Sequence, residues 1–478
     1  MDFLNQLFGD INSVLWGVFV LIPLLCGTGI FYTFKLRFVQ IRLFPTALRF
    51  LFNNATLFGK RADQTGMSSF QALATAVAAQ VGTGNVAGAA TAIVAGGPGA
   101  LFWLWVAAFF GMATIFAEAV LAQIYRVTGE NDRVVGGPAF YMSLGLGPKF
   151  KPMAVFFSAV AIITMGCMGS LVQSNTVSQA LNHAFDVPLL ASGIGVAILS
   201  GVVMFGGMGR LASVTEKLVP FMAGLYLIGG SYVLACHYDQ IIPAFDLVFT
   251  AAFNPEAVGG GALGLTVAKA MQFGVARGLF SNEAGVGAAA CAAGSAGVSH
   301  PVKQGLVQVL SVFLDTCMIC TATAMLLLCS GVEPDADMAV MHYVQAAMNN
   351  TLGKFGVVFI TVSLFLFAFT TLLGNFYYAE TGLAYLCGMT PSNGAKWCMR
   401  IVAAVVVCVG ATMKLGIVWD TADVLMGFMA LINVPVIVIL LKPVLRCLED
   451  YTEQKKAGKN PVFKAEHIGL KEKVDFWN

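Results

Sequence analysis

Charge is what this sequence has least of. Among 478 residues there are 27 Lys or Arg and 25 Asp or Glu, 11% in all, where a soluble domain carries about a quarter. So few charges cannot clothe a 50.5 kDa chain in water, which excludes an ordinary soluble enzyme and a disordered chain. Histidine is scarce as well. Its five copies (His183, His237, His300, His342 and His467) are dispersed and form no ligand pair at helical spacing, so no metal centre is expected. The 11 cysteines stand singly in apolar runs, which excludes a disulfide scaffold. Cys317-x-x-Cys320 has no second such pair and reads as buried, helix-filling thiols. There is no Walker A motif, no zinc-binding His pair and no G-x-S-x-G at a strand–helix turn. Met1 to Trp16 holds no basic residue, so no cleavable signal is expected.

What is abundant is apolar length. Hydrophobic residues make up 58% of the chain and the mean hydropathy is +0.80, the composition of an all-α polytopic membrane protein. A window near 20 residues predicts eleven spans, at 12–34, 68–94, 98–125, 152–181, 188–206, 213–236, 261–296, 303–331, 353–387, 397–413 and 416–441. Residues 35–63 are basic and amphipathic, too polar to cross, and are expected along the headgroups. If that connection is cytoplasmic, 23 Lys and Arg fall inside and two, Lys354 and Lys414, outside. This bias predicts an N-terminus outside and a C-terminus in the cytoplasm. The outer loops carry Asp239, Asp246, Glu256, Glu333, Asp335 and Asp337.

Setting aside the first span leaves ten, which divide into fives at 68–236 and 261–441. Residues 1–67 precede them, and 442–478 form a short polar cytoplasmic tail with no folded domain expected. Five is odd, so the second five enter from the opposite side, the arithmetic of an inverted repeat. The first span of each half is broken by glycine. One break is Gln80-Val81-Gly82-Thr83-Gly84-Asn85; the other runs from Gly274 through Gly278 to Gly285 and Gly287. Unwinding a helix in hydrocarbon strands backbone groups that cost several kcal/mol each unless satisfied. Substrate and ions can satisfy them: N–H groups at a half-helix start favour a carboxylate, and freed carbonyls favour a cation.

At these residues a resemblance becomes specific. Ala79-Gln80-Val81-Gly82-Thr83-Gly84-Asn85-Val86-Ala87-Gly88, the run Gly96-Gly97-Pro98-Gly99-Ala100-Leu101-Phe102-Trp103, Phe109-Phe110-Gly111-Met112-Ala113-Thr114 with Glu118, and Arg277-Gly278-Leu279-Phe280-Ser281-Asn282-Glu283-Ala284-Gly285 are similar to the alanine or glycine:cation symporter family, over about residues 10–450. The resemblance implies a leucine-transporter-like fold of ten core helices plus one N-terminal helix. It implies sodium-coupled uptake of alanine, and often glycine, across a bacterial inner membrane, with sodium as the coupling ion and no other cofactor. By that resemblance the N–H groups of Thr83 and Gly84 hold the substrate carboxylate. The carbonyls of Ala78 and Val81 face a sodium ion, and Gln80 and Asn85 sit where the amine or a second sodium binds. Gly278 and Phe280 line and cap the pocket. The eighth core helix adds Ala368, Thr370 and Thr371 to the sodium site. Gln173 and Ser170 on the third core helix are further candidates for the pocket, with Met165, Met168 and Phe280 on its apolar side.

Glu118, Lys269, Arg277, Glu283, Asp315 and Glu380 lie in or near spans, where ionisable groups are expensive. Structural ion pairs or gates are expected of them, a Glu283–Arg277 pair across the second break among them. Three rivals to sodium symport stand beside it. A channel lacks a repeated filter loop or a ring of like charge. An intramembrane enzyme lacks every motif above. A proton-coupled symporter remains open through Glu118 or Asp315.

Overall fold

A computed structural model of the chain describes residues 2–17, 19–54, 68–129, 133–254, 267–333, 340–413, 415–470, 474, 476 and 477. The expected start of the second half at 261, the acids Glu256, Asp335 and Asp337, and residues 55–63 of the basic stretch lie outside them.

The described chain is helical apart from a small antiparallel hairpin, Val127–Thr128 with Val134–Val135. The first helices are α1 (Asp2–Leu15), α2 (Leu21–Lys35), α3 (Ser69–Gln80), α4 (Gly84–Gly96), α5 (Ala100–Ile124), α6 (Pro148–Phe185) and α7 (Leu189–Met204). Next come α8 (Gly207–Cys236), α9 (Tyr238–Phe253), α10 (Val267–Asn282), α11 (Ala289–Gly294) and α12 (Pro301–Cys329). The last are α13 (Val340–Leu352), α14 (Lys354–Leu386), α15 (Asn393–Gly410), α16 (Leu415–Ile439) and α17 (Leu441–Lys456).

Among the described residues seven single helices are long and apolar enough to cross a bilayer, and α3 with α4 makes an eighth as one bent pair. Sequence alone suggested eleven spans, and the differences have local causes. The expected span 12–34 is two helices, α1 and α2. Pro23 lies in the first turn of α2, where its missing N–H costs nothing. The other short apolar helix is α7. In the second half α10 and α11 flank the break at 16 and 6 residues, and neither is a span alone. Helices α9 and α13 are connections the hydropathy pattern did not show.

The first break has a readable grammar. Ser68 and Gln71 form a capping box that starts α3. Four residues later than Val77 the helix ends, with Val81 turned out at ψ 87°, and α4 departs at 52°. The second break follows Asn282. Glu283, Gly285 and Gly287 take φ of 57°, 94° and 89°, and two of these three are the residue that adopts this region without strain. The break therefore falls at 283–288; Gly274 and Gly278, read from sequence as part of it, lie inside α10.

Helix α5 is buried along most of its length and packs against α2, α10 and α12. Helix α14 crosses α3 closely. A Cβ on Gly374 would stand 2.7 Å from the Ala79 Cα and 2.8 Å from its nitrogen, so glycine there lets two backbones meet. One turn earlier on the same face is Thr371.

Candidate functional site

The end of α3 presents carbonyls to α14. Thr371 Oγ1 donates to the Ala78 oxygen at 2.9 Å and lies 3.2 Å from the Val81 oxygen. Two freed carbonyls and a hydroxyl, all buried, make a cluster of hard oxygen donors. Gly82 sits against it, since its Cβ position is 2.5 Å from Thr371 Oγ1. The next two N–H groups are held by side chains: Gly82 N–H donates to Asn85 Oδ1 at 2.9 Å and Thr83 N–H to Gln173 Oε1 at 3.0 Å. Two oxygens here, Thr83 Oγ1 and Gln80 Oε1, are buried with no hydrogen-bond partner.

The two breaks touch. Gln80 Nε2 donates to the Asn282 carbonyl at 2.9 Å. Helix α12 widens into a π turn over Phe313–Cys320, which carries Asp315 between them. Asp315 Oδ1 accepts from Asn85 Nδ2 at 2.7 Å, and Oδ2 accepts from Ser281 and Thr316 hydroxyls at 2.7 Å each. The carboxyl is fully buried, and each of these donors is neutral. Asn282 completes the set, donating to Thr316 at 3.3 Å and accepting Ala284 N–H at 3.0 Å. Cys320 stands beside it, 3.2 Å from Asn85 Nδ2. All eleven cysteines are free.

The other predicted residues distribute as follows. Phe280 lies over the first break, its ring 3.3 Å from the Gly84 Cβ position, and packs on Trp419 at 4.9 Å. Gly278 faces Leu104 and Ala107 on α5, a packing position rather than a pocket wall. Thr370 points away from Thr371: its hydroxyl donates to Phe367 O at 2.9 Å and lies 3.2 Å from the Met222 sulfur. The Ala368 side chain packs with Val177 and Leu372. Ser170 and Met165 are buried, and Met168 packs against the cluster of Leu171, Val172, Val418 and Ala422.

The intramembrane charges pair differently from the sequence reading. Arg277 does not meet Glu283. It forms a bidentate pair with Asp423 of α16, at 2.7 and 3.2 Å, and its guanidinium lies 5.3 Å from the Trp419 ring. Asp423 on α16 reaches Arg277 across the helices, whereas Glu283 is the first residue of the break beyond the end of α10. Outside this pair the indole of Trp16 donates to Asp423 O at 3.1 Å and Asn12 to Asp420 at 3.1 Å. Glu380 lies 3.9 Å from Arg400. Glu118 accepts from Asn433 Nδ2 at 2.6 Å, and Asn433 also holds the Gly285 carbonyl at 2.9 Å. Sequence reasoning placed Ser281 and Asn282 in the second break but missed Thr316, Trp419 and Asp423 as neighbours of the breaks. The acids Asp420 and Asp423 inside an apolar span were the one signal available for the last of these.

Among the described residues no group of three or more His, Cys, Asp or Glu could hold a metal ion. Interrupted helices with inward carbonyls and hydroxyls, in a chain of bilayer-length apolar helices, define a membrane transporter rather than an enzyme. The chain matches the sodium:alanine symporter family over residues 1–465 and belongs to it. It is 41% identical to the sodium/alanine symporter AgcS of Methanococcus maripaludis, over 95% of this chain and 99% of that one. It is 37% identical to a sodium/proton-dependent alanine carrier of Bacillus sp. PS3, over 87% and 95%. A protein named probable sodium/glutamine symporter GlnT from Bacillus subtilis is 38% identical, over 99% and 96%. A solved manganese transporter from Eremococcus coleocola aligns over 82% of this chain and 81% of its own at 14% identity, with a TM-score of 0.49.

Proposed function

We propose that the protein is a sodium-coupled symporter for alanine and glycine, working by alternating access in an inner membrane with its N-terminus outside. The two fives act as leucine-transporter-like inverted repeats that rock about the paired breaks. The observation that carries the reading is Thr371 reaching the Ala78 and Val81 carbonyls. A monovalent hard cation prefers oxygens of this kind. Sodium entering among them replaces the hydroxyl's hydrogen bonds with ion–oxygen contacts and ties α14 to the first break.

The substrate's carboxylate takes the N–H groups of Thr83 and Gly84, displacing the Gln173 oxygen from Thr83. Its ammonium goes to Asp315 and Asn85, with Gln80 beside them. Phe280 and Trp419 close over it. Small side chains are favoured because Phe280 already lies against Gly84. Relatives bearing alanine in their names support this substrate.

The coupling ion is decided by transport into proteoliposomes. Alanine uptake should need an inward sodium gradient, stop in choline, and survive a proton ionophore at clamped sodium. Full uptake without sodium sinks the assignment. The proton reading has an observation of its own, since Glu118 Oε2 and Glu283 Oε2 are buried without a partner. It predicts the reverse pattern.

Thr371→Ala should raise the sodium concentration for half-maximal uptake about tenfold or more, as an unmade polar contact costs about 1–3 kcal/mol. Thr370→Ala should change it far less, because that hydroxyl faces Phe367 and Met222. Equal effects in the two variants would mean that Thr371 is no more an ion ligand than its neighbour.

A further inference from the structure

The short polar tail expected at 442–478 holds, over its described residues, a helix and a segment packed against the helices. Helix α17 buries Val444, Cys447, Leu448 and Tyr451, and the segment after it turns back beneath the second break. Phe463 N–H donates to the Ser299 carbonyl at 2.8 Å, and Ser299 Oγ to Pro461 O at 2.9 Å. Lys303 Nζ donates to Asn460 at 2.7 Å. The imidazole of His300 is wedged in the same seam. Its Nδ1 accepts Val302 N–H, so Nε2 carries the proton toward Asp450 Oδ2 at 3.1 Å, and burial pushes its pKa down to about 4.

The last residues are tied still more closely. The Trp477 indole donates to Gln123 O at the end of α5, at 2.7 Å. The Arg126 guanidinium stands 3.8 Å from the Phe476 ring and 4.1 Å from the Trp477 ring. Arg126 and Gln123 both donate to the Ala296 carbonyl, at 2.7 and 2.9 Å. The Trp477 carbonyl accepts Ala465 N–H at 3.0 Å, which closes the segment on itself. Phe463, Ile468, Val474 and Trp477 are all buried. An aromatic pair on a desolvated guanidinium is a strong and orientation-dependent contact, unlike anything a solvated tail needs.

These contacts join three parts of the fold. The end of α5 and the segment Ala293–Lys303, which leads from α11 to α12, are held by a peptide continuous with α16 through α17. We propose that the described residues of this segment, 459–470 with 474, 476 and 477, act as a latch that keeps this end of the transporter closed, with the Arg126–Phe476–Trp477 stack as its clasp. Opening the path below the second break requires the clasp to release. Trp477 and Arg126 are thus positioning residues for the cycle, remote from substrate and ion. The inference rests on the transport reading, because a latch needs a gate to hold.

Cys291 reports on that gate. It is buried in α11 and lines a small cavity with Gly137, Pro138, Tyr378 and Thr381. In the purified full chain, the rate of maleimide attachment to Cys291, read by peptide mass spectrometry, should rise roughly tenfold in Trp477→Ala, the scale for losing a buried cation–π pair. Exposed Cys236 should react as before. An unchanged Cys291 rate overturns the proposal. A general rise at Cys236 together with a lowered melting temperature would be unfolding, and a second arm then decides. Ser299→Cys with Pro461→Cys should form a disulfide under mild oxidant that stops alanine uptake in proteoliposomes and restores it on reduction, each single variant serving as control. Undiminished uptake in the fully cross-linked protein overturns the latch. A wild type that takes up no alanine speaks against the transport reading, while the Cys291 rates still decide the latch.

Discussion

Gly82→Ala should cut sodium-driven alanine uptake roughly hundredfold while the protein still inserts at normal yield. The added methyl would stand 2.5 Å from Thr371 Oγ1, 3.1 Å from the Thr371 Cβ and 3.0 Å from Gln173 Oε1. The Gln173 amide can swing aside, but Thr371 cannot yield cheaply. Thr371 is fixed to the Ala78 and Val81 carbonyls, and α14 cannot withdraw without opening the backbone contact of Gly374 with Ala79. Overpacking of this kind costs about 1–3 kcal/mol, and here the strain falls chiefly on Thr371, the proposed ion ligand. Alanine is a good helix former, so the helices on either side keep their local preference. Uptake should drop roughly hundredfold at fixed sodium, and raising the sodium concentration should recover part of it, the hundredfold being the upper end of that cost. A variant with wild-type sodium dependence would remove Gly82 and Thr371 from the ion site together.

Asp315→Asn should cost as much by a different route. The substitution keeps size and shape, removes the charge and turns one accepting oxygen into a donor. In the native protein the carboxyl accepts from Asn85, Ser281 and Thr316 at 2.7 Å each. Three neutral donors solvate an anion but leave its charge uncompensated in a buried site, and an ammonium group supplies what is missing. Breaking a buried ion pair by removing one partner costs about 3–5 kcal/mol, or roughly 150- to 4,000-fold in affinity. Labelled-alanine binding to the purified variant measures it directly. If Asp315 instead carried a coupled proton, the variant would bind alanine normally and lose only its response to a pH gradient. Wild-type affinity in Asp315→Asn therefore ends the ammonium assignment.

Some of this geometry is local and was open to reading from residues alone. Glycines and the polar residues among them mark where a helix in hydrocarbon gives way, so the first break, expected over Gln80–Asn85, falls in space at Val81–Thr83. The pairing of Thr371 with Ala78 and Val81 belongs to the same class, given the resemblance that aligned the two helices. The second break was read too wide, because glycines that serve close packing, such as Gly278 against Leu104, look the same in sequence as glycines that turn the chain.

What composition and order determined by themselves, then, is a membrane chain with two interrupted helices and a symporter family's motifs. Hydropathy and helix breaking depend on neighbours in sequence, and those are on the page from the start. Only the tertiary structure decided that Arg277 answers Asp423, 146 residues away, instead of Glu283. Only it brought Asp315 to both breaks through a π turn, and folded the polar end of the chain under α5. In a bilayer each buried charge must find its partner across helices, and which helix stands opposite is settled by how small residues let the backbones pack, a property of the whole assembly that no local stretch contains.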